Sequence, residues 1–184
     1  MKIVILDRDG VINQDSPDYI KSPEEWQPIP GSLEAIARLN QAGFHVYVAS
    51  NQSGIGRGLF DLDALFGIHE RMQRALAELG ARIEAIEFAP DHPDVASGMR
   101  KPEPGMLLDL AQRLQINLDG VPVVGDSWRD LQAAEAAGAR AVLVLTGNGE
   151  RTQKEHSIAG VPVYADLAAF ASDWIEREQK AQAE

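Results

Sequence analysis

The sequence contains no cysteine, which excludes disulfide bonds and thiolate metal sites. Cations are also scarce: 17 lysines and arginines stand against 28 acidic residues, and the net charge at pH 7 is −11. Proteins that bind nucleic acid generally need a basic surface, so we expect no nucleic-acid partner. A membrane span of about 20 apolar residues is absent, and the first apolar run is too short for a signal peptide. We therefore expect a cytoplasmic protein without a membrane partner. We also expect a monomer, although these features do not bear on the oligomeric state.

Short apolar runs rich in β-branched residues alternate with helical patterns along the whole chain, which has 184 residues. This alternation predicts an α/β fold with a doubly wound, mainly parallel sheet flanked by helices. The predicted strands are 2–6, 44–49, 83–88, 121–124, 141–145 and 161–164. Predicted helices begin at Ser32 and cover 61–79, 104–114, 127–137 and 166–178. We predict one domain over residues 1–178, a polar tail at 179–184 and no separate cap domain.

Acidic residues follow two of the predicted strands. Asp7 and Asp9 come directly after the first strand, and Asp126 comes after the fourth. Ligands of open α/β sheets bind beyond the carboxyl ends of the strands, and a few carboxylates with waters and phosphate are typical of Mg²⁺ sites. The alternative is that Asp7 caps a turn and Asp126 caps the helix that begins near Ser127.

Two further segments end at the same predicted edge. Ser50 follows the second strand, where its hydroxyl could donate to a phosphate oxygen or belong to an ordinary turn. Arg100 and Lys101 lie in the loop after the third strand. Lys101 could neutralise a phosphoryl group, and Arg100 could clamp a second anionic or hydroxyl-bearing part of a substrate. The alternative for this pair is two solvated surface cations.

These four segments, in this order, resemble the motifs of the haloacid dehalogenase-like phosphatases. The matching stretches are Asp7–Ile12, Ser50, Lys101 and 125–130. The resemblance implies that Asp7 is the nucleophile and Asp9 the general acid and base. It also implies that Ser50 and Lys101 stabilise the phosphoryl group. Magnesium would be held by Asp7, the backbone carbonyl of Asp9 and Asp126, with Asp130 as a weaker candidate for support of the metal site.

Within that family, the stretches LDRDGVIN, SNQSGIGRG, RKPEPGML and GDSWRDLQAA resemble the phosphatases that remove the 7-phosphate of heptose 1,7-bisphosphates, in lipopolysaccharide or related glycan synthesis. Phosphatases of histidinol phosphate and a catalytically silent binding protein on the same fold are the alternatives. The resemblance implies a small sugar phosphate as substrate and assigns its recognition to one set of residues. They are Asp15, Ser16, Pro17, Asp18, Ser50, Asn51, Gln52, Ser53, Arg100 and Lys101.

Many relatives carry structural zinc on a loop just before the arginine–lysine pair. The equivalent positions here are Ala89, Asp91, Ser97 and Met99. Three of these residues are unsuited to zinc, and His92 alone does not make a site. We therefore predict no zinc, and we expect prolines and packing to hold the loop.

Overall fold

The sheet of the computed structural model, which describes residues 1–183, has six parallel strands in the order β3-β2-β1-β4-β5-β6. The strands are β1 (Lys2–Leu6), β2 (Phe44–Asn51), β3 (Ala85–Ala89), β4 (Pro122–Gly125), β5 (Arg140–Val144) and β6 (Val163–Tyr164). Every predicted strand is present within two residues of its predicted bounds. The predicted fold class is confirmed.

Within residues 1–183, seven α-helices connect and follow these strands. They are α1 (Ser32–Gln41), α2 (Ser53–Gly56), α3 (Leu62–Glu78), α4 (Gly105–Leu114), α5 (Trp128–Ala136), α6 (Gly149–Glu155) and α7 (Leu167–Ala183). The short helices α2 and α6 were not predicted, because each has too few residues for a helical repeat of apolar side chains. Helix α7 continues through residues predicted as a polar tail as far as Ala183, and Glu184 lies outside the described residues.

Alternating side chains of the central strands face opposite layers of helices. Val4 and Leu6 join the core beneath α1, α3 and α7. Ile3 and Ile5 join the core beneath α4 and α5. Strands covered on both faces read as continuous apolar runs, which explains the uninterrupted KIVIL of β1. Within the described part of the chain, no helix is long and apolar enough to cross a membrane.

The carboxyl ends of β1, β2 and β4 meet at one edge of the sheet. Asp7 donates its backbone N–H to the carbonyl of Val124 at 2.8 Å, so the end of β1 is fixed against β4. Two loops, 13–30 and 89–102, contribute residues to the cavity at this edge. No separate cap domain is present among the described residues, as predicted.

Candidate active site

Asp7 lines this cavity, and the contacts of its carboxylate fall on one of the two oxygens. Oδ1 accepts the backbone N–H of Arg8 at 2.8 Å and lies 3.0 Å from Nζ of Lys101. None of the hydrogen bonds among the described residues uses Oδ2. Asp7 therefore has a fixed carboxylate with one oxygen available to attack a phosphorus atom.

Lys101 is buried and fully engaged. Its Nζ donates to the carbonyl of Ala49 at 2.8 Å and to Asp130 Oδ1 at 2.5 Å. Although burial opposes the charged form, Asp130 and Asp7 raise the pKa of Lys101, so the ammonium persists. The side-chain amide of Asn51 holds the backbone of Lys101: its Nδ2 donates to the Lys101 carbonyl at 2.9 Å, and its Oδ1 accepts the Lys101 N–H at 3.0 Å. These contacts fix one positive charge beside Asp7.

Asp130 has a structural role, because it binds both Ser127 and Lys101. The position of Asp130 in the sequence does not predict this role. Its Oδ2 accepts the backbone N–H and the hydroxyl of Ser127, which forms the capping box of α5. Its Oδ1 binds Lys101. Burial opposes ionisation of Asp130, but Lys101 lowers the pKa of this carboxyl below its usual range. Asp130 therefore holds Lys101 in place.

The carboxylates of Asp7, Asp126 and Asp130 converge, with one oxygen of each within 4.8 Å of the others. Burial, together with the neighbouring carboxylates, raises the pKa of Asp7 to about 7 and that of Asp126 to about 8. Lys101 supplies only one positive charge to this cluster. A buried group of oxygens with excess negative charge fits a hard divalent cation, and Mg²⁺ prefers such ligands.

Asp126 is held at this cluster by residues after β5. Its Oδ2 accepts the backbone N–H of Asn148 at 2.7 Å. Gly10 and Gly147 both have positive φ, and a side chain at either would clash with the Asp126 carboxylate. Gly147 and Asn148 were missed in the sequence, although they follow the end of a predicted strand.

The Asp9 carboxylate is not one of the three carboxylates that converge. Its two oxygens accept from Arg8, Asn13 and Gln52 at 2.8 to 3.0 Å. Asp9 still lines the cavity. Its side chain is therefore placed for contact with a bound substrate, and the sequence-based assignment of its backbone carbonyl to magnesium stays a prediction.

The cavity has a volume of about 290 Å³ and contains most of the predicted site residues. Its lining includes Asp7, Asp9, Asp15, Ser16, Pro17, Asn51, Gln52, Ser53, Arg100, Lys101 and Asp126. Ser50 and Asp18 are not part of this lining. Ser50 is buried, and its hydroxyl accepts from Gln52 Nε2 at 2.8 Å. The backbone N–H of Asp18 donates to the Ser16 hydroxyl at 3.1 Å.

Three arginines line the cavity. Arg100 is only 7% exposed, and its buried Nη1 has no hydrogen-bond partner in the part of the chain that the structure describes. Burial and the nearby Arg129 and Arg57 lower the pKa of Arg100. The ion pairs found among the described residues use other arginines. Arg57 and Arg129 also line the cavity and were not predicted from the sequence.

The loop before Arg100 is held mainly by hydrogen bonds. Asp91 Oδ2 accepts the hydroxyl of Ser97 at 2.6 Å and its backbone N–H at 3.2 Å, and Ser97 Oγ accepts from the backbone of Met99. The backbone N–H of Gly56 donates to the carbonyl of Pro90 at 2.9 Å. The expectation that prolines and packing hold the loop was therefore incomplete. Absence of zinc stays a prediction, which elemental analysis of the purified protein tests.

The fold and the site define the chain as a HAD-like hydrolase, and the HAD-hydrolase-like family model matches residues 98–170. The D-glycero-β-D-manno-heptose-1,7-bisphosphate 7-phosphatase of Bordetella bronchiseptica is 52% identical over 96% of this chain and 99% of that protein. The enzyme of that name from Pseudomonas putida is 52% identical over 95% of this chain and 100% of that protein. The chain belongs to this family of phosphatases.

Solved structures agree with this membership. The B. bronchiseptica D,D-heptose 1,7-bisphosphate phosphatase, complexed with magnesium and phosphate, has a TM-score of 0.94 and covers 96% of this chain and 99% of that chain at 52% identity. The corresponding Burkholderia thailandensis enzyme has a TM-score of 0.76 at 48% identity, covering 95% of this chain and 99% of that chain. The predicted family and class of enzyme are confirmed.

Proposed function

We propose that this phosphatase removes the 7-phosphate of D-glycero-β-D-manno-heptose 1,7-bisphosphate through an aspartyl-phosphate intermediate. One observation supports this most strongly: a single cavity joins the Asp7–Lys101 pair to the three arginines. A monophosphate needs only Asp7 and Lys101. The three arginines suit another anionic group on the same molecule. The β anomer is the one in the names of the relatives at 52% identity.

The first chemical step would transfer the phosphoryl group to Asp7. Its free Oδ2 attacks phosphorus, and the bond from phosphorus to O7 of the sugar breaks with its electron pair on that oxygen. Asp9 gives the oxygen its proton, since an alkoxide is a poor leaving group. Lys101 offsets charge on the phosphoryl oxygens from a position fixed by Asp130.

The second step would restore the enzyme. Water gives a proton to the Asp9 carboxylate and attacks phosphorus, and the bond between phosphorus and Asp7 breaks. Inorganic phosphate leaves and Asp7 is again a carboxylate. The same residue thus acts first as acid and then as base.

Magnesium would be held by Asp7 and Asp126, with the Asp9 carbonyl as the third predicted ligand. Bound there, it would neutralise the clustered carboxylates and allow the dianionic phosphate to approach them. Asp130 is occupied by Lys101 and Ser127, so its contribution would be through Lys101.

Arg100 would bind the 1-phosphate of the substrate, with Arg57 and Arg129 adding positive charge beside it. The buried Nη1 of Arg100 has no partner among residues 1–183, and an unpaired buried donor is costly. A phosphate oxygen would satisfy it. These three arginines form no ion pair among the described residues, although the chain has an excess of acidic side chains and a net charge of −11.

Replacing Arg100 by glutamine is expected to lower kcat/KM for the bisphosphate more than for a monophosphate. The ratio of kcat/KM for heptose 1,7-bisphosphate to kcat/KM for heptose 7-phosphate should fall by about 10- to 100-fold. This is the range expected for the loss of a hydrogen bond to a charged group. The two esters share the leaving alcohol, so the ratio isolates the 1-phosphate. Arg74→Gln, on the exposed surface of α3, serves as the matched control. Equal losses with both esters would argue that Arg100 supports only the loop.

A further inference from the structure

His69 is a buried histidine on α3 that has no part in the chemistry described above. It lies 61 residues from Arg8 in the sequence, yet its Nε2 is 3.3 Å from Arg8 Nη1. A guanidinium has no acceptor, so Nε2 must accept and the ring proton must be on Nδ1. Burial and the adjacent Arg8 lower the pKa of His69 to about 4, so the ring is neutral at neutral pH.

Arg8 connects this histidine to Asp9. Its side chain is completely buried, although it stands between the two aspartates of the first motif. Nε and Nη2 bind the two oxygens of Asp9 at 2.9 and 3.0 Å, a bidentate arrangement. Nη2 also donates to Gln52 Oε1 at 3.2 Å. Among the contacts of the described residues, the partner of Nη1 is His69.

The Asp9 carboxylate has two donors on each oxygen. Besides Arg8, Asn13 Nδ2 donates to Oδ1 at 2.8 Å and Gln52 Nε2 donates to Oδ2 at 2.9 Å. An ionised carboxylate has about four acceptor sites. In the ionised form all of them are used, so these contacts determine the orientation of Asp9 at the cavity wall. The protonated form, which acts as the acid, has fewer acceptor sites and must release one donor. The Nε and Nη2 groups of Arg8, here called the Arg8 fork, supply two of the four donors.

We propose that His69 is a positioning residue for proton transfer, because it anchors Arg8 Nη1 and thereby keeps the Arg8 fork aligned with Asp9. Without this acceptor, Nη1 becomes an unpaired buried donor, and the guanidinium gains by turning toward another acceptor. Such a turn releases one or both contacts to Asp9. The inference rests on the proposed function, since it requires Asp9 to be the general acid.

The test compares His69→Leu, which removes the acceptor, with His69→Gln, whose amide oxygen can still accept from Arg8. The measured quantity is kcat/KM, which covers the steps up to departure of the leaving group, for p-nitrophenyl phosphate and for an alkyl sugar phosphate. p-Nitrophenolate leaves with little protonation, whereas the sugar alkoxide needs the proton of Asp9. Asp9→Asn is the reference variant for complete loss of the acid.

His69→Leu is expected to lose about 10- to 100-fold more kcat/KM with the sugar phosphate than with p-nitrophenyl phosphate, part of the typical effect of a general acid. His69→Gln should restore most of this difference. In an Asp9→Asn background, His69→Leu should add no further leaving-group dependence, because residues that act through one another are not additive. If His69→Leu does not fold, His69→Asn, polar but too short to reach Arg8, replaces it.

Equal losses with both esters in His69→Leu would overturn the inference and leave His69 as a packing residue, and so would a glutamine variant that behaves like the leucine variant. A lack of leaving-group dependence in Asp9→Asn itself would instead overturn the proposed role of Asp9. The two failures are therefore distinguishable within one set of measurements.

Discussion

Replacing Asp7 by asparagine is expected to lower turnover by at least about 10⁴-fold while the protein stays folded, since removal of a nucleophile typically costs this much or more. The asparagine carboxamide oxygen can still accept the N–H of Arg8, which Asp7 Oδ1 accepts at 2.8 Å. It cannot form an acyl phosphate. Phosphate release by purified Asp7→Asn, followed beside thermal unfolding, measures both parts of this prediction.

A covalent intermediate gives a second measure of the same prediction. Acid quench of the wild-type enzyme during turnover, followed by peptide mass spectrometry, should detect one added phosphoryl group on the peptide that contains Asp7. Asp7→Asn should give none, and Asp109→Asn, on the exposed part of α4, should behave as wild type. A phosphorylated peptide elsewhere in the chain, or appreciable turnover by Asp7→Asn, would refute the assignment of the nucleophile.

Replacing Asp126 by asparagine is expected to abolish the stabilisation of the protein by magnesium. In the wild type, Mg²⁺ at about 100 times its Kd should add about 2.7 kcal/mol, which raises Tm by roughly 5 to 10 °C in a domain of this size. In Asp126→Asn this rise should disappear. The test is thermal unfolding of both proteins after treatment with a chelator, measured without Mg²⁺ and again after Mg²⁺ is added.

The same substitution should not destabilise the metal-free protein. Asp126 is buried near Asp7 and Asp130, and this burial and repulsion raise its pKa to about 8. With that pKa the carboxyl is mostly protonated at pH 7, so a neutral amide leaves the charge of the metal-free cluster nearly unchanged and keeps an oxygen for the Asn148 N–H. A metal-free Asp126→Asn protein with Tm well below that of metal-free wild type would contradict this explanation. Asp109→Asn removes one carboxylate from a residue that does not line the cavity, so this variant should keep the full magnesium response.

The edge of the sheet that carries the site could be predicted because its strands are short, apolar and followed at once by polar residues. Asp7, Ser50 and Asp126 each stand where an apolar run stops, and parallel strands bring such ends together. Asn148 follows a predicted strand by the same rule, so its position carried a usable signal.

Other parts of the site depend on side-chain directions that the sequence does not contain. Arg8 lies between two aspartates, and nothing in the order of residues indicates that it is buried while they face the cavity. His69 follows Leu65 and Ile68 at helical spacing, so its pattern is that of a core position on α3. Its contact with Arg8 depends on how α3 packs against the sheet. Arg57 and Arg129 are exposed residues, one at the end of α2 and the other in the first turn of α5, and their approach to Arg100 depends on how these two helices are placed.

The proposed function is tested most directly by release of inorganic phosphate from D-glycero-β-D-manno-heptose 1,7-bisphosphate and from histidinol phosphate, each measured with Mg²⁺ and again with EDTA. We expect a strong preference for the bisphosphate, complete dependence on the metal ion and release of one phosphate per substrate molecule, from position 7. A preference for histidinol phosphate, or equal rates with both, would contradict the assignment of the arginines to a second phosphate and would leave only the general phosphatase chemistry in place.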